Sequence, residues 1–248
     1  DGSGYERGPT FGENIKFFLS YQTYFMYIRY FMWNFSGRQN DLEGIFTGNV
    51  RDGNWISGIS VIDNALYGDQ SALPDSLQNN KAHNKMFMLP FIFGLLGLFY
   101  HFRKRGDDAT INMLLFMSTG LAIVVYLNQP GYQPRERDYA YAASFYAFSV
   151  WIGLAVAYFA DLASKWDEKL VRSVLTGSGV VALVFLIGIQ ASGYGGASGI
   201  MVAAGVFALV AAIGVGIPYL LKNVKNYQTI SIVSIIISLV IPVLMASQ

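Results

Sequence analysis

The sequence contains no cysteine, which rules out disulfides, thiolate metal sites and a cysteine nucleophile without fixing the compartment. Charge is scarce as well. Only 13% of the 248 residues are Asp, Glu, Lys or Arg and 53% are hydrophobic, whereas a soluble domain carries about 25% charged residues. That balance predicts a membrane protein. The formal net charge is +1, so there is no basic field to gather nucleic acid, and the placement of lysine and arginine matters more than their sum. The two histidines, His83 and His101, are isolated and fall on opposite sides of the expected membrane, which argues against a histidine metal site. There is no phosphate-cradling glycine loop, no serine elbow, no fixed-period repeat and no low-complexity tract. The N-terminal DGSGYERGPT has neither an initiator methionine nor a basic-then-apolar leader, and the last apolar run stops at Met245-Ala246-Ser247-Gln248 without a polar flank. The expectation is therefore a piece of a longer chain.

From Asn14 to Phe35 the sequence is crowded with aromatics, with Arg29 in the middle of the run. Tyr21, Tyr24, Tyr27, Tyr30 and Trp33 recur at three-residue steps, which predicts a helix with an aromatic stripe lying in the membrane interface. A spanning helix is the alternative, since the run is long enough to cross roughly 30 Å of hydrocarbon. Ser36 to Lys85 reads as an ordered polar arm with dense clusters at Gly37 to Gly44, Gly53 to Asn64 and Leu73 to Lys85. Its glycines and asparagines suit tight turns, while its tryptophan, isoleucines and leucines argue against disorder. Residues 1–85 then form an arm carrying the aromatic helix, and residues 86–248 a six-helix transmembrane bundle. The fold class is all-α. The six apolar segments are Met86 to Phe102, Ile111 to Leu127, Ala142 to Leu162, Val171 to Ile189, Ser198 to Leu221 and Ile230 to Ala246. In the fifth, Ala204, Ala208, Ala212 and Gly216 form a small-residue face suited to close helix packing.

The connections alternate sides. One side collects Arg103, Lys104, Arg105, Lys165, Lys169, Arg172, Lys222 and Lys225, whereas the opposite short loops hold only Arg135 and Arg137, with none in Gln190 to Ala197. The positive-inside rule makes the first set cytoplasmic. The arm, the connection Asn128 to Tyr141 and the C-terminus at Gln248 are then expected to share the external face, where the two polar segments can build one site.

That connection, NQPGYQPRERDYAY, is far richer in charge and aromatics than a tether needs. Arg135 and Arg137 present planar forks suited to phosphate or carboxylate, and at headgroup level the obvious anion is a lipid phosphate. The alternative is internal pairing with Asp138 or Asp41, which would only fix the loop. In GRQND, Arg38, Gln39, Asn40 and Asp41 match sugar hydroxyls or a phosphate; helix termination at Gly37 with a cap from Asn40 or Asp41 is the plainer account. Beside Asn54, Trp55 either stacks on a sugar or anchors the loop in the interface. Asp63 and Asp69 are acid or base candidates whose simpler reading is a solvated carboxylate, as for Asp107 and Asp108. Asn34-Phe35-Ser36 matches a glycosylation acceptor, a weak motif.

The blocks YFMYIRYFMWNFSGRQNDLEG, GNWISGI with Ile62-Asp63, LPFIFGLLGL, YLNQPGYQPRERDYAYAASFYAFSVWIGL and IPVLMASQ together resemble a large bacterial membrane family. Its N-terminal half is similar to protein O-mannosyltransferases, among the multi-spanning C-type glycosyltransferases, and the resemblance covers nearly the whole chain. It implies inverting transfer of a sugar from a polyprenyl-phosphate donor to a protein hydroxyl on the external face of a bacterial inner membrane. By the same resemblance the catalytic carboxylate lies upstream of Asp1, leaving no catalytic residue here. Arg135 and Arg137, with Arg38, would neutralise the departing lipid phosphate. Trp55, Tyr139 and Tyr141 would line the sugar or the isoprenoid, and Gln39, Asn40, Asp41, Asn54 and Asp138 would make sugar or loop contacts. No resident cofactor is implied and a divalent metal is left open. The implied partners are membrane lipids, the rest of a longer chain or other membrane subunits, and a protein acceptor. A non-catalytic scaffold of an envelope or secretion assembly is the alternative. A lipid carrier would need polar residues buried along the bundle, and the six segments hold few.

Overall fold

The computed structural model describes residues 8–42, 49, 51–131, 135–191, 197–224 and 226–247. Most of the glycine-rich turn, Glu43 and Gly44 of the first polar cluster, Tyr132 to Pro134, Lys225 and Gln248 lie outside the described residues. The chain is an all-α bundle joined through two strands of two residues each. Among the described residues, five helices are long and apolar enough to cross a membrane: Gly106–Leu127, Asp138–Ser164, Glu168–Gln190, Ser198–Leu221 and Tyr227–Ala246. They give the chain the character of a multi-pass membrane protein.

The first helix, α1, covers 11–35. Thr10 starts it with a capping box, in which its hydroxyl accepts from the Glu13 amide while Glu13 Oε2 accepts from the Thr10 amide at 2.7 Å. The helix is α over Phe11–Phe17, widens to π geometry over Phe18–Ile28 and returns to α over Arg29–Phe35. Its second half does not lie on a surface. From Met26 to Phe35 only Ile28 and Asn34 are even partly exposed, and Phe31 packs edge-on against Phe91, Phe116 and Phe148. An interfacial helix would keep one wet face; a helix that is apolar all round is a core helix. From Tyr24 to Trp33 the recurring rings are thus enclosed, with Tyr21 partly exposed, so this part of the helix departs from the interfacial expectation.

The polar arm follows, with β1 (Gly37–Arg38), α2 (Ser60–Tyr67), α3 (Asp75–Gln78) and β2 (Asn84–Lys85). β1 and β2 pair antiparallel, and Arg38 also makes an isolated bridge to Trp55, so three stretches of the arm meet at Arg38. α1 ends at Phe35 with Ser36 as its C-cap, directly before Gly37, which sits at φ 149° with a hypothetical Cβ 2.6 Å from the Asn84 carbonyl, so no side chain fits there. The arm enters the bundle through Phe87 and Met88, two consecutive left-handed residues.

The bundle comprises α4 (Leu89–Lys104), α5 (Gly106–Leu127), α6 (Ala142–Ser164), α7 (Glu168–Ala191), α8 (Ser198–Leu221) and α9 (Tyr227–Ala246). All six expected apolar segments are helical. However, the 16 residues of α4 rise only about 24 Å, short of the roughly 30 Å of a hydrocarbon core. Pro90 through Gly97 are all buried, so the first half of α4 is internal, while Phe102, Arg103 and Lys104 at its end are exposed. Its main neighbour is α6, whose inward face runs through Phe148, Trp151, Ala155, Tyr158 and Leu162. The two backbones nearly touch, because a Cβ at Gly97 would fall on the Trp151 carbonyl and one at Gly94 on the Phe148 ring.

On α8 the small-residue face points away from this bundle. Ala204, Ala208 and Ala212 are exposed, whereas Val202, Val206 and Val210 are buried. The expected close packing on that face is therefore not made within the chain, and the valine side carries the contact with α2 and α7.

Candidate functional site: a buried arginine fork between arm and loop

Arg29 is fully buried in α1, and an arginine survives without water only when its charge and its donors are all engaged. Its Nη1 and Nη2 grip Glu136 at 3.0 and 2.7 Å, a bidentate fork on a carboxylate. Nη1 also donates to the Gly53 carbonyl at 2.6 Å and Nε to the Phe25 carbonyl at 2.9 Å. The guanidinium lies over the Phe25 ring at 3.8 Å, with Tyr30 and Trp33 close by. Tyr30 adds its hydroxyl to Glu136 Oε2 and accepts from the Arg137 amide at 3.2 Å. One side chain thus ties α1 to the arm at Gly53 and to the polar connection at Glu136. A turn or two earlier, Gln22 makes the same kind of tie, donating to Asn128 Oδ1 at 3.0 Å and to the Gln129 carbonyl at 2.9 Å.

Around this knot the arginines of the connection stay free of carboxylates. Arg135 is exposed and Arg137 half-buried, and neither is in an ion pair among the described residues. The internal pairing considered for them with Asp138 or Asp41 is not made. Asp41 instead accepts from Asn80 at 2.9 Å, a bond that holds its carboxyl below the usual range. Asp138 is half-buried beside them. Arg38 stacks at 3.8 Å on Trp33 and donates to the Asn40 carbonyl at 3.0 Å. Burial lowers its pKa, and the Glu136 charge opposes that drop, so Arg38 lies in the field of the same cluster and remains a cation.

The other predicted contacts divide into buried and open. Asn40 is no helix cap: its amide donates to Asp52 at 3.1 Å and accepts from the Gly53 amide at 2.8 Å, which sets the carbonyl that Arg29 uses. Asn54 is buried, its carbonyl accepting from the Gln39 amide at 2.9 Å. Trp55 is fully enclosed, donating to the Tyr24 hydroxyl at 3.4 Å with its ring against Phe185. It neither stacks on an open sugar site nor anchors in an interface. Tyr141 is likewise enclosed, edge-on to Tyr27, whereas Tyr139 is 68% exposed. Trp55 and Tyr141 therefore have no face free to line a ligand; Arg135 and Tyr139 do.

Asp63 departs from the solvated reading. It is buried and accepts from the Ser57 amide, the Ser57 hydroxyl and the Gly58 amide at 2.7, 2.7 and 2.8 Å. Burial raises its pKa while those donors pull it down, so it is a pin for the turn before α2. Asp69 is exposed and accepts from the amide and hydroxyl of Ser71, which lowers its pKa. His83 meets the Gln39 carbonyl and His101 meets Trp151 Nε1. Among the described residues no group of His, Asp or Glu is arranged to hold a metal.

Three polar groups beside the knot stand out. Both amide atoms of Gln39, both of Gln129, and Arg137 Nε are buried without a hydrogen-bond partner among the described residues. Buried polar groups are nearly always satisfied, so each of these calls for an explanation.

The central pair was missed from sequence. Arg29 had a signal, as the only charged residue between Lys16 and Arg38, and an ionisable residue inside an apolar run is a functional pointer with a partner to be found. Glu136 had none, because nothing in RERD distinguishes it from Asp138. No family model, curated protein or solved structure matches the chain.

Proposed function

We propose that this surface holds the phosphate of a lipid-linked substrate, and that the chain is the donor-binding part of a membrane glycosyltransferase using a polyprenyl-phosphate sugar. One observation carries the reading. Glu136, the acidic residue between Arg135 and Arg137, is withdrawn into the Arg29 fork, which leaves both loop arginines without a carboxylate among the described residues. Cations left unneutralised at the mouth of an apolar bundle favour an anion at headgroup depth. Arg38, partly exposed and in the same field, adds a further cation that suits a phosphate. In transfer, the acceptor hydroxyl attacks the anomeric carbon and the lipid phosphate departs as an anion. Arg135 and Arg137 neutralise the charge that develops, while Arg29 holds their loop. Glu136 is not the base in this scheme, since both its oxygens are engaged. The proton of the acceptor hydroxyl passes to a carboxylate base, as the family resemblance implies.

The test is Arg135→Ala with Arg137→Ala in the complete protein, assayed for sugar transfer and for binding of the polyprenyl-phosphate donor. Transfer is expected to fall on the order of a hundredfold or more, as for lost oxyanion donors. Undiminished transfer with unchanged donor affinity overturns the phosphate role. The outward-facing Ala204, Ala208 and Ala212 of α8 favour a second reading, a membrane scaffold that docks another helix there. Stoichiometric protein partners without bound lipid would put that reading first.

A further inference from the structure

At the opposite end of α6 from the arginine fork, the α6–α7 turn and the end of α4 line a half-open cavity of about 620 Å³. Four cations line it, Arg103, Lys104, Lys165 and Lys169, against three acids, Asp161, Asp167 and Glu168. Two of the acids face two of these cations, Asp161 beside Lys104 and Asp167 beside Arg103. Asp161 accepts from the Tyr100 hydroxyl at 2.7 Å and meets Lys104 Nζ at 3.1 Å. Asp167 turns one oxygen to the amides of Lys169 and Leu170 at the start of α7, leaving the other 3.9 Å from Arg103. Lys165 and Lys169 have no ion-pair partner among the described residues. At the rim, Trp166 packs edge-on against Tyr219, and Lys222 lies over both rings at 5.6 and 3.4 Å. A Trp–Tyr pair at the ends of apolar helices marks the headgroup level of a bilayer.

We propose that this cavity is a second anion site, which binds a phosphate group through Lys165 and Lys169 with Arg103 behind them. The shared chemistry is a phosphate ester, and its two sources are the headgroup of an anionic phospholipid and a free phosphate from the aqueous phase. Basic pockets between the ends of membrane helices take acidic lipid headgroups in this way. The site stands apart from the proposed donor site, because the 27-residue helix Asp138–Ser164 separates the two ends by about 40 Å.

The chain supplies its own reporter. Trp33, Trp55 and Trp151 are buried, whereas Trp166 is 36% exposed at the rim. The experiment reconstitutes the protein in phosphatidylcholine vesicles and follows tryptophan emission as brominated phosphatidylglycerol replaces unbrominated phosphatidylcholine, with brominated phosphatidylcholine as the reference series. A parallel series adds inorganic phosphate to vesicles of phosphatidylcholine alone. Quenching of Trp166 in excess of the lipid's mole fraction, absent in Trp166→Phe, assigns the site to a lipid; a saturating change with inorganic phosphate assigns it to a free anion. In either case Lys165→Ala with Lys169→Ala is expected to weaken binding on the order of thirtyfold, while Lys165→Arg with Lys169→Arg retains it. Because both lysines are exposed and unpaired, these variants leave the fold intact. No response to either probe, or the same response in the double alanine variant, overturns the proposal.

Discussion

Arg29 gathers a bidentate ion pair and two backbone carbonyls around one buried guanidinium. Removing it leaves Glu136 and the Tyr30 hydroxyl facing each other in a nearly dry pocket, so Arg29→Met is expected to destabilise the protein by about 3 kcal/mol, the lower part of the range for a broken buried pair. Glu136 keeps 22% exposure, and water reaching it places the effect there. Adding Glu136→Gln to Arg29→Met should recover much of the loss, because the uncompensated charge goes with it. Thermal unfolding of the two single variants and the double variant in one detergent measures the coupling; additive losses would mean that the fork carries no pairwise energy. At this scale the sequence was half legible. A lone arginine among aromatics is conspicuous, but its partner is fixed by a contact across 107 positions of chain, which no local pattern encodes. The same holds for Trp55 and Tyr141, whose residue types fit a ligand face and whose burial denies it.

Among the elements, the segments that length and hydropathy identify are all helices, since a long apolar run has no other way to satisfy its backbone in a membrane. What length does not reveal is which helices are enclosed. α4 is apolar enough to resemble a span, yet it is short and its first half is wrapped by its neighbours, and α1 looks interfacial until its second half is found at the centre. Its ring stripe presumes α-helical spacing, whereas the π segment Phe18–Ile28 changes which residues share a face. The close pass of α4 and α6 makes a sharper prediction. Gly97→Val puts branched carbon onto the Trp151 carbonyl and is expected to cost about 3 kcal/mol or to prevent folding, the upper end of overpacking. Gly153→Ala on the open side of α6, where a Cβ meets nothing within 4 Å, is expected to be neutral or slightly stabilising. Comparing the melting temperatures of the two variants checks this, and equal losses would mean that α4 and α6 cross at a wider separation.

For the whole molecule, the absence of cysteine becomes an experimental asset, because any introduced thiol is unique. The lysine and arginine tally separates the arm and the Asn128 to Tyr141 connection from the α6–α7 turn. Single cysteines at Ser71 and Tyr139, both exposed, are expected to react with an impermeant maleimide from one side of sealed vesicles, and a cysteine at Lys169 from the other. Labelling of Ser71 and Tyr139 from opposite sides would dissolve the shared surface. That the arm and the connection meet was legible from alternation of the loops alone; that they meet through α1 was not, because α1 was placed outside the bundle. The two ties of α1 also bear on how such a chain tolerates change in length. Gln22 holds Gln129, and seven positions further along each strand of chain Arg29 holds Glu136. An insertion or deletion in either stretch would shift one tie against the other. Helix and loop are therefore bound to change length together or not at all, a constraint that the exposed tips of the arm escape.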